Sequence, residues 1–305
     1  MLCGGLSSGW PDDPFLCLQY SRLPRTGTGT AARPDRGGPV NQQDQSHIKA
    51  CCADLYARPA VSWLLGDSLH PGGLRLTERL GRMLELTPSH RALDIACGSG
   101  TSAILLARQF GCAVVGVDLA PLLISRARSA ASRERIERVL SFALGDGEAL
   151  PFSAGSFDVV FSECAISTFP DKIASVREMA RVLKRGGRLG FTDIVLTHGE
   201  IPEELQGWFS HVACIAGACS VEQYQEIFAT AGFSGWREEA HPKGLLQMLR
   251  QVRLRLLALE VAGGLQKVDL SGLDLTAAKR VLDQANDWVQ SGAVNYFAFS
   301  AVKEA

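Results

Sequence analysis

Four short runs in this chain end on residues that can meet charge or hydrogen-bonding groups. Arg91-Ala92-Leu93-Asp94-Ile95 passes through Ala96 into Cys97-Gly98-Ser99-Gly100, and Ala113-Val114-Val115-Gly116-Val117 ends in Asp118, with Leu119 next. A third acidic stretch reads Gly145-Asp146-Gly147-Glu148, and Phe157-Asp158-Val159-Val160-Phe161 is followed by Ser162-Glu163-Cys164. Gly98 and Gly100 let the backbone approach a ligand closely, and the free N–H groups at the start of the next helix offer it donors. Such a turn cradles a nucleotide-sized molecule. Because Ala103 completes G-x-G-x-x-A, a dinucleotide also suits it. Charge separates the readings: Asp94, at the mouth of the turn, would repel a pyrophosphate but suits a ligand carrying ammonium and sulfonium groups, as S-adenosylmethionine does. Under either reading Asp118 can accept from a ribose diol, and Asp146 suits an adenine edge.

These groups need a sheet to hold them. The apolar runs read as buried strands, and Thr101 to Phe110 resumes with helical spacing at Ile104, Leu105 and Ala107. Asp171 to Leu183 carries an apolar stripe, Arg188 to Leu196 reads as a fifth strand, and Ser220-Val221-Glu222-Gln223 caps a helix that Gly232 stops. Phe233 to Ala240 and Val294 to Val302 are further strands; Lys243 to Val261 and Thr276 to Gln290, between them, are helices. Glu200 to Cys214 has apolar spacing. Upstream, His47 to Trp63 is helix-like but broken at Pro59, Leu64 to Gly73 is a loop that contains His70, a candidate substrate contact, and Leu74 to Leu86 is a helix.

From Leu86 to Leu196, including Val182-Leu183-Lys184-Arg185-Gly186-Gly187, the chain resembles the class I S-adenosylmethionine-dependent methyltransferases. The resemblance implies an α/β, Rossmann-like seven-stranded sheet in the order 3-2-1-4-5-7-6, with strand 7 antiparallel and helices on both faces. It implies S-adenosyl-L-methionine as cofactor, at Asp94, Ala96, Gly98, Gly100, Asp118, Leu119, Asp146, Gly147, Glu148 and Glu163. The methyltransferase domain is expected over residues 46–305, with an N-terminal helical cap and a helical insertion at about 241–291 that covers the substrate pocket or forms a dimer face.

A narrower resemblance, to the arsenite methyltransferases, lies in Ser162-Glu163-Cys164-Ala165-Ile166-Ser167, Pro170-Asp171-Lys172, Phe191-Thr192-Asp193 and Cys214-Ile215-Ala216-Gly217-Ala218. It implies that Cys164 and Cys214 hold trivalent arsenic as thiolates; a third thiolate would come from the N-terminal segment, where Cys51 and Cys52 are the candidates. Soft thiolates suit a thiophilic ion and leave its lone pair free to attack a methyl group. Two alternatives stay open: carbon or oxygen methylation of a small organic acceptor, with Glu163, His198 or His211 as base, and a catalytically silent cofactor-binding subunit. Intact strand-end aspartates speak against the last.

With 305 residues, 46% of them hydrophobic, one domain with extensions is expected. The net charge of −1 provides no global field for nucleic acid, and no apolar run spans a bilayer, so the expected partner is a small molecule and the expected location the cytoplasm. Nine scattered cysteines lack the paired spacing of a zinc site and fit reduced thiols; Cys97 and Cys112 read as small hydrophobes. Residues 1–45, rich in Gly, Pro, Ser, Thr and Arg, are expected to be disordered, although their arginines leave a targeting segment open.

Overall fold

The computed structural model describes residues 42–66, 68–197, 215, 217–264 and 275–304; in its first helix side chains are described from Lys49 onward, Cys51 excepted. The expectations for most of residues 1–45 and for Glu200 to Cys214 lie outside the described residues. The expected order is found: seven strands run β3-β2-β1-β4-β5-β7-β6. They are β1 (Arg91–Ile95), β2 (Ala113–Asp118), β3 (Leu140–Leu144), β4 (Phe157–Glu163), β5 (Leu183–Leu196), β6 (Phe233–Ala240) and β7 (Val294–Lys303). β1 lies parallel to both β2 and β4, whereas β7 runs antiparallel to β5 and β6.

The central strands are buried on both faces, which explains why they read as unbroken apolar runs. Helices α3 (Gly73–Met83), α4 (Thr101–Phe110) and α5 (Pro121–Glu134) cover one face through Leu80, Leu84, Leu106 and Ile124. On the other, α6 (Lys172–Val182) and α7 (Val221–Ala229) bring Val176, Met179, Tyr224 and Phe228 against Leu93, Val160 and Phe191. Ser220 and Gln223 close a reciprocal capping box at the start of α7. β5 begins at Leu183 rather than Arg188: Leu183 is fully buried and pairs with Phe157, and Gly186, at φ +70°, absorbs the register shift before Arg188 pairs with Val159.

Helices α1 (Gln42–Ala57) and α2 (Pro59–Leu65) precede this frame, and α8 (Pro242–Gly264) and α9 (Leu275–Gln290) connect β6 to β7. The last two pack on each other through Val252, Leu256 and Leu282, and Leu64 and Leu65 of α2 join that cluster. α8 also supports the loop between α2 and α3. Arg255 donates to the Leu64 carbonyl at 2.8 Å, and Gly244 lies so close to Pro71-Gly72 that a Cβ there would fall 2.9 Å from the Gly72 backbone. Leu282 is buried, and Trp288 is half-buried against the cluster of Ile194, Leu245 and Val289. Among the described residues no helix is long and apolar enough to cross a membrane.

Candidate functional site

Ligands in open α/β sheets bind beyond the carboxyl ends of the strands, where the order reverses. Here the reversal falls between β1 and β4, and a cavity lies there. After β1 the chain turns through left-handed positions at Ala96 (φ +58°), Gly98 (+55°) and Gly100 (+80°). The two glycines do different work. A Cβ on Gly100 would strike the Phe142 ring at 2.6 Å, so its role is packing, whereas a Cβ on Gly98 would meet nothing nearer than Leu69 at 3.7 Å, across the cavity.

Asp94, Ala96, Gly98, Asp118, Leu119, Asp146, Gly147, Glu163, Cys164 and Cys52 all line this cavity. Gly100 and Glu148 stand outside its wall, Cys51 is in α1 with its side chain outside the described residues, and Cys214, His198 and His211 are outside them altogether. Cys97 touches the cavity, but its thiol packs against the Gly116 side of the core. Burial, then the charges of Asp94 and Asp118, holds that thiol well above the usual range, and Cys112 is raised by burial as well. Both act as small hydrophobes.

Asp94 is 2% exposed, and its Oδ2 has no hydrogen-bond partner among the described residues. Burial, followed by the nearby charges of Glu163 and Asp118, pushes its carboxyl well above the ordinary carboxylate range. A buried acceptor left alone is costly, so this one calls for a ligand that brings donors or positive charge. Asp118 accepts from Gly98 N and Ala120 N, both at 2.8 Å; burial raises its pKa and these bonds oppose the rise. It thereby closes the glycine turn and keeps further acceptor lone pairs. Asp146 accepts from Glu148 N at 2.9 Å and from Lys49 Nζ at 2.7 Å, and Lys49 also reaches Glu148 at 2.5 Å. Burial works to lower the Lys49 pKa, but the two carboxylates outweigh it and the net direction is upward.

At the other end, Glu163 closes β4. It accepts from Thr77 Oγ1 at 2.9 Å and Ser102 Oγ at 2.5 Å, and His70 Nε2 lies 3.5 Å away. Cys164 follows at φ +54°, an uncommon conformation for a side chain, and its N–H donates to the Thr192 carbonyl at 2.7 Å. The turn after it is held by Asp193 of β5, whose carboxylate accepts from Ser167 N at 2.8 Å and Ser167 Oγ at 2.7 Å. Burial raises the Asp193 pKa to about 6 against the pull of those bonds. Lys49, Thr77 and Ser102 escaped the sequence reading as site residues, whereas Asp193 entered it within the run Phe191-Thr192-Asp193.

The sequence pattern of a methyltransferase domain matches residues 86–232. The chain is similar to methyltransferase GfsG of Streptomyces halstedii, 38% identical over 168 residues, which cover 54% of this chain and 60% of that protein. It is 31% identical to 27-O-demethylrifamycin SV methyltransferase of Amycolatopsis mediterranei over 185 residues, 55% of this chain and 67% of that one. Arsenite methyltransferase of Halobacterium salinarum is 34% identical over 151 residues, 48% of this chain but only 38% of its own length. In fold the chain is similar to Haemonchus contortus phosphoethanolamine N-methyltransferase 2, solved with phosphomonomethylethanolamine and S-adenosylhomocysteine, at a TM-score of 0.68 and 23% identity. That likeness covers 87% of this chain and 61% of the other.

Proposed function

Because this chain belongs to the class I S-adenosylmethionine-dependent methyltransferases, we propose that it methylates a small molecule at the β4 end of the cavity, and that the acceptor is trivalent arsenic held by cysteine thiolates. The observation that carries the acceptor reading is that Cys52, from α1, and Cys164, after β4, line the same cavity as Asp94 and Gly98. The residues present fit the cofactor. The unpartnered Asp94 Oδ2 and Glu163 suit an ammonium group, Asp118 suits the ribose, Asp146 and Gly147 the adenine edge, and the open face of Gly98 admits close contact. Bound there, the cofactor would supply an electrophilic sulfonium methyl group to the arsenic lone pair, the As–C bond forming as the S–C bond breaks and its electron pair stays on the departing thioether. Thiolates make a general base unnecessary, and this suits the site, since Glu163 already accepts from Thr77 and Ser102. Cys214, and Cys51 as the alternative to Cys52, belong to the same proposal, as the thiols that complete the set.

A small organic acceptor is the second reading, favoured by the rifamycin-related relative and by tocopherol O-methyltransferase of Arabidopsis thaliana, 28% identical. Thiol protection separates the two. Arsenite added to the reduced protein should shield Cys52 and Cys164 from iodoacetamide, measured by peptide mass spectrometry. Unchanged alkylation of both would move the reading to the organic acceptor.

A further inference from the structure

His70 is 5% exposed and stands in the cavity wall beside Glu163. Its Nδ1 lies 3.2 Å from the Pro71 carbonyl oxygen, which can only accept. Its Nε2 faces Thr77 Oγ1 at 3.4 Å, Ser102 Oγ at 3.5 Å and Glu163 Oε2 at 3.5 Å. Both hydroxyls already donate their protons to Glu163, so toward the ring they present lone pairs. Every polar atom around the imidazole can therefore accept, so whichever ring nitrogen carries an N–H has an acceptor within reach. The Nε2 contacts are all long, which leaves that donor poorly used.

The cavity wall carries the carboxylates of Asp94, Asp118, Asp146 and Glu163. Against them, the wall's lysine among the described residues, Lys49, is engaged by Asp146 and Glu148 at the β3 end, which leaves the His70 ring as the nitrogen donor beside Glu163. S-Adenosylmethionine brings a sulfonium, an ammonium and one carboxylate. The positive groups have partners in plenty; the carboxylate would meet Glu163 with like charge unless a hydrogen-bond donor stood between them. We propose that His70 stands there: its Nε2–H donates to the cofactor's carboxylate while Glu163, still held by Thr77 and Ser102, takes the ammonium. The ring is well fixed for this role, because the Gly72 backbone beside it is clamped by Gly244 of α8. The inference rests on the cofactor reading above and assigns a binding residue within it.

The test is titration calorimetry on the full chain with S-adenosylmethionine and with its decarboxylated analogue, which keeps the sulfonium and the amine. Wild-type protein should prefer the carboxylate-bearing form by roughly tenfold or more, as expected for a charge-assisted bond in a desolvated site. In His70→Gln that preference should shrink to within about threefold. Equal wild-type affinities for the two compounds would overturn the assignment of His70 while leaving the cofactor reading intact, and that comparison needs no variant to fold. A preference that survives in folded His70→Gln would overturn it too. No binding of S-adenosylmethionine to the wild-type protein would overturn the cofactor reading, and the inference with it.

Discussion

The ammonium of Lys49 lies 2.7 Å from Oδ2 of Asp146, so a residue of the first helix is bound to the carboxylate that follows β3. The same ammonium reaches Glu148, which also accepts from the Asp171 backbone. One lysine thus ties α1 to the β3 end of the cavity, and through α1 it sets where Cys52 stands.

Lys49→Met should loosen that tie. Glu148 is nearly buried and would lose its cation, while Asp146, 30% exposed, would be partly rescued by water. The expected loss is about 1–2 kcal/mol, smaller than for a fully buried pair. Urea denaturation measures it, and an unchanged midpoint would show that α1 docks without this pair.

Gly244→Ala tests the clamp on the His70 loop by sign. Alanine in a helix is intrinsically better than glycine by about 0.5–1 kcal/mol, so an unhindered site would gain stability. A Cβ 2.9 Å from the Gly72 backbone must instead push that loop away. We expect a net loss of about 1–3 kcal/mol together with weaker cofactor binding. A stabilised variant with unchanged binding would contradict the clamp.

Asp193 gives a pH dependence with a defined direction. Its folded-state pKa of about 6 lies above the ordinary 3.8, so the folded protein holds this proton over a range in which the unfolded chain has released it. Stability from this group is therefore greatest below the lower value and falls as pH rises toward 6, then stays level. The stability of wild type minus that of Asp193→Ala should decline across that window. A difference that climbs with pH would mean that the bonds from Ser167 outweigh burial.

Strand order and the acidic strand ends that line the cavity were legible because their signals are local. An apolar run ending in Asp94, Asp118 or Glu163 fixes a strand, its end and a charge together, and Gly98 marks where the backbone turns. The network around His70 was not legible, since it joins a loop, two helices and a strand end through Thr77, Ser102 and Glu163. Nothing in a helical repeat distinguishes Thr77 or Lys49 from any other polar position; only the packing shows which one faces a carboxylate. Gly100 illustrates a different limit. The motif groups it with Gly98, yet its neighbours are Phe142 and Ala127, and the sequence does not say which glycine faces the ligand.

The proposed methyl transfer to arsenic held by Cys164 and its partner thiols is tested most directly by following a labelled methyl group from S-adenosylmethionine to arsenite in the presence of a reducing thiol. The wild-type protein should produce labelled methylarsenic species. Cys164→Ser should lose that activity by at least about a hundredfold while binding the cofactor within about twofold, because a hydroxyl is a harder and far less acidic ligand than a thiol. Full arsenite turnover by Cys164→Ser, or no arsenite turnover by the wild type beside transfer to a phenolic or quinol acceptor, would contradict the thiolate mechanism.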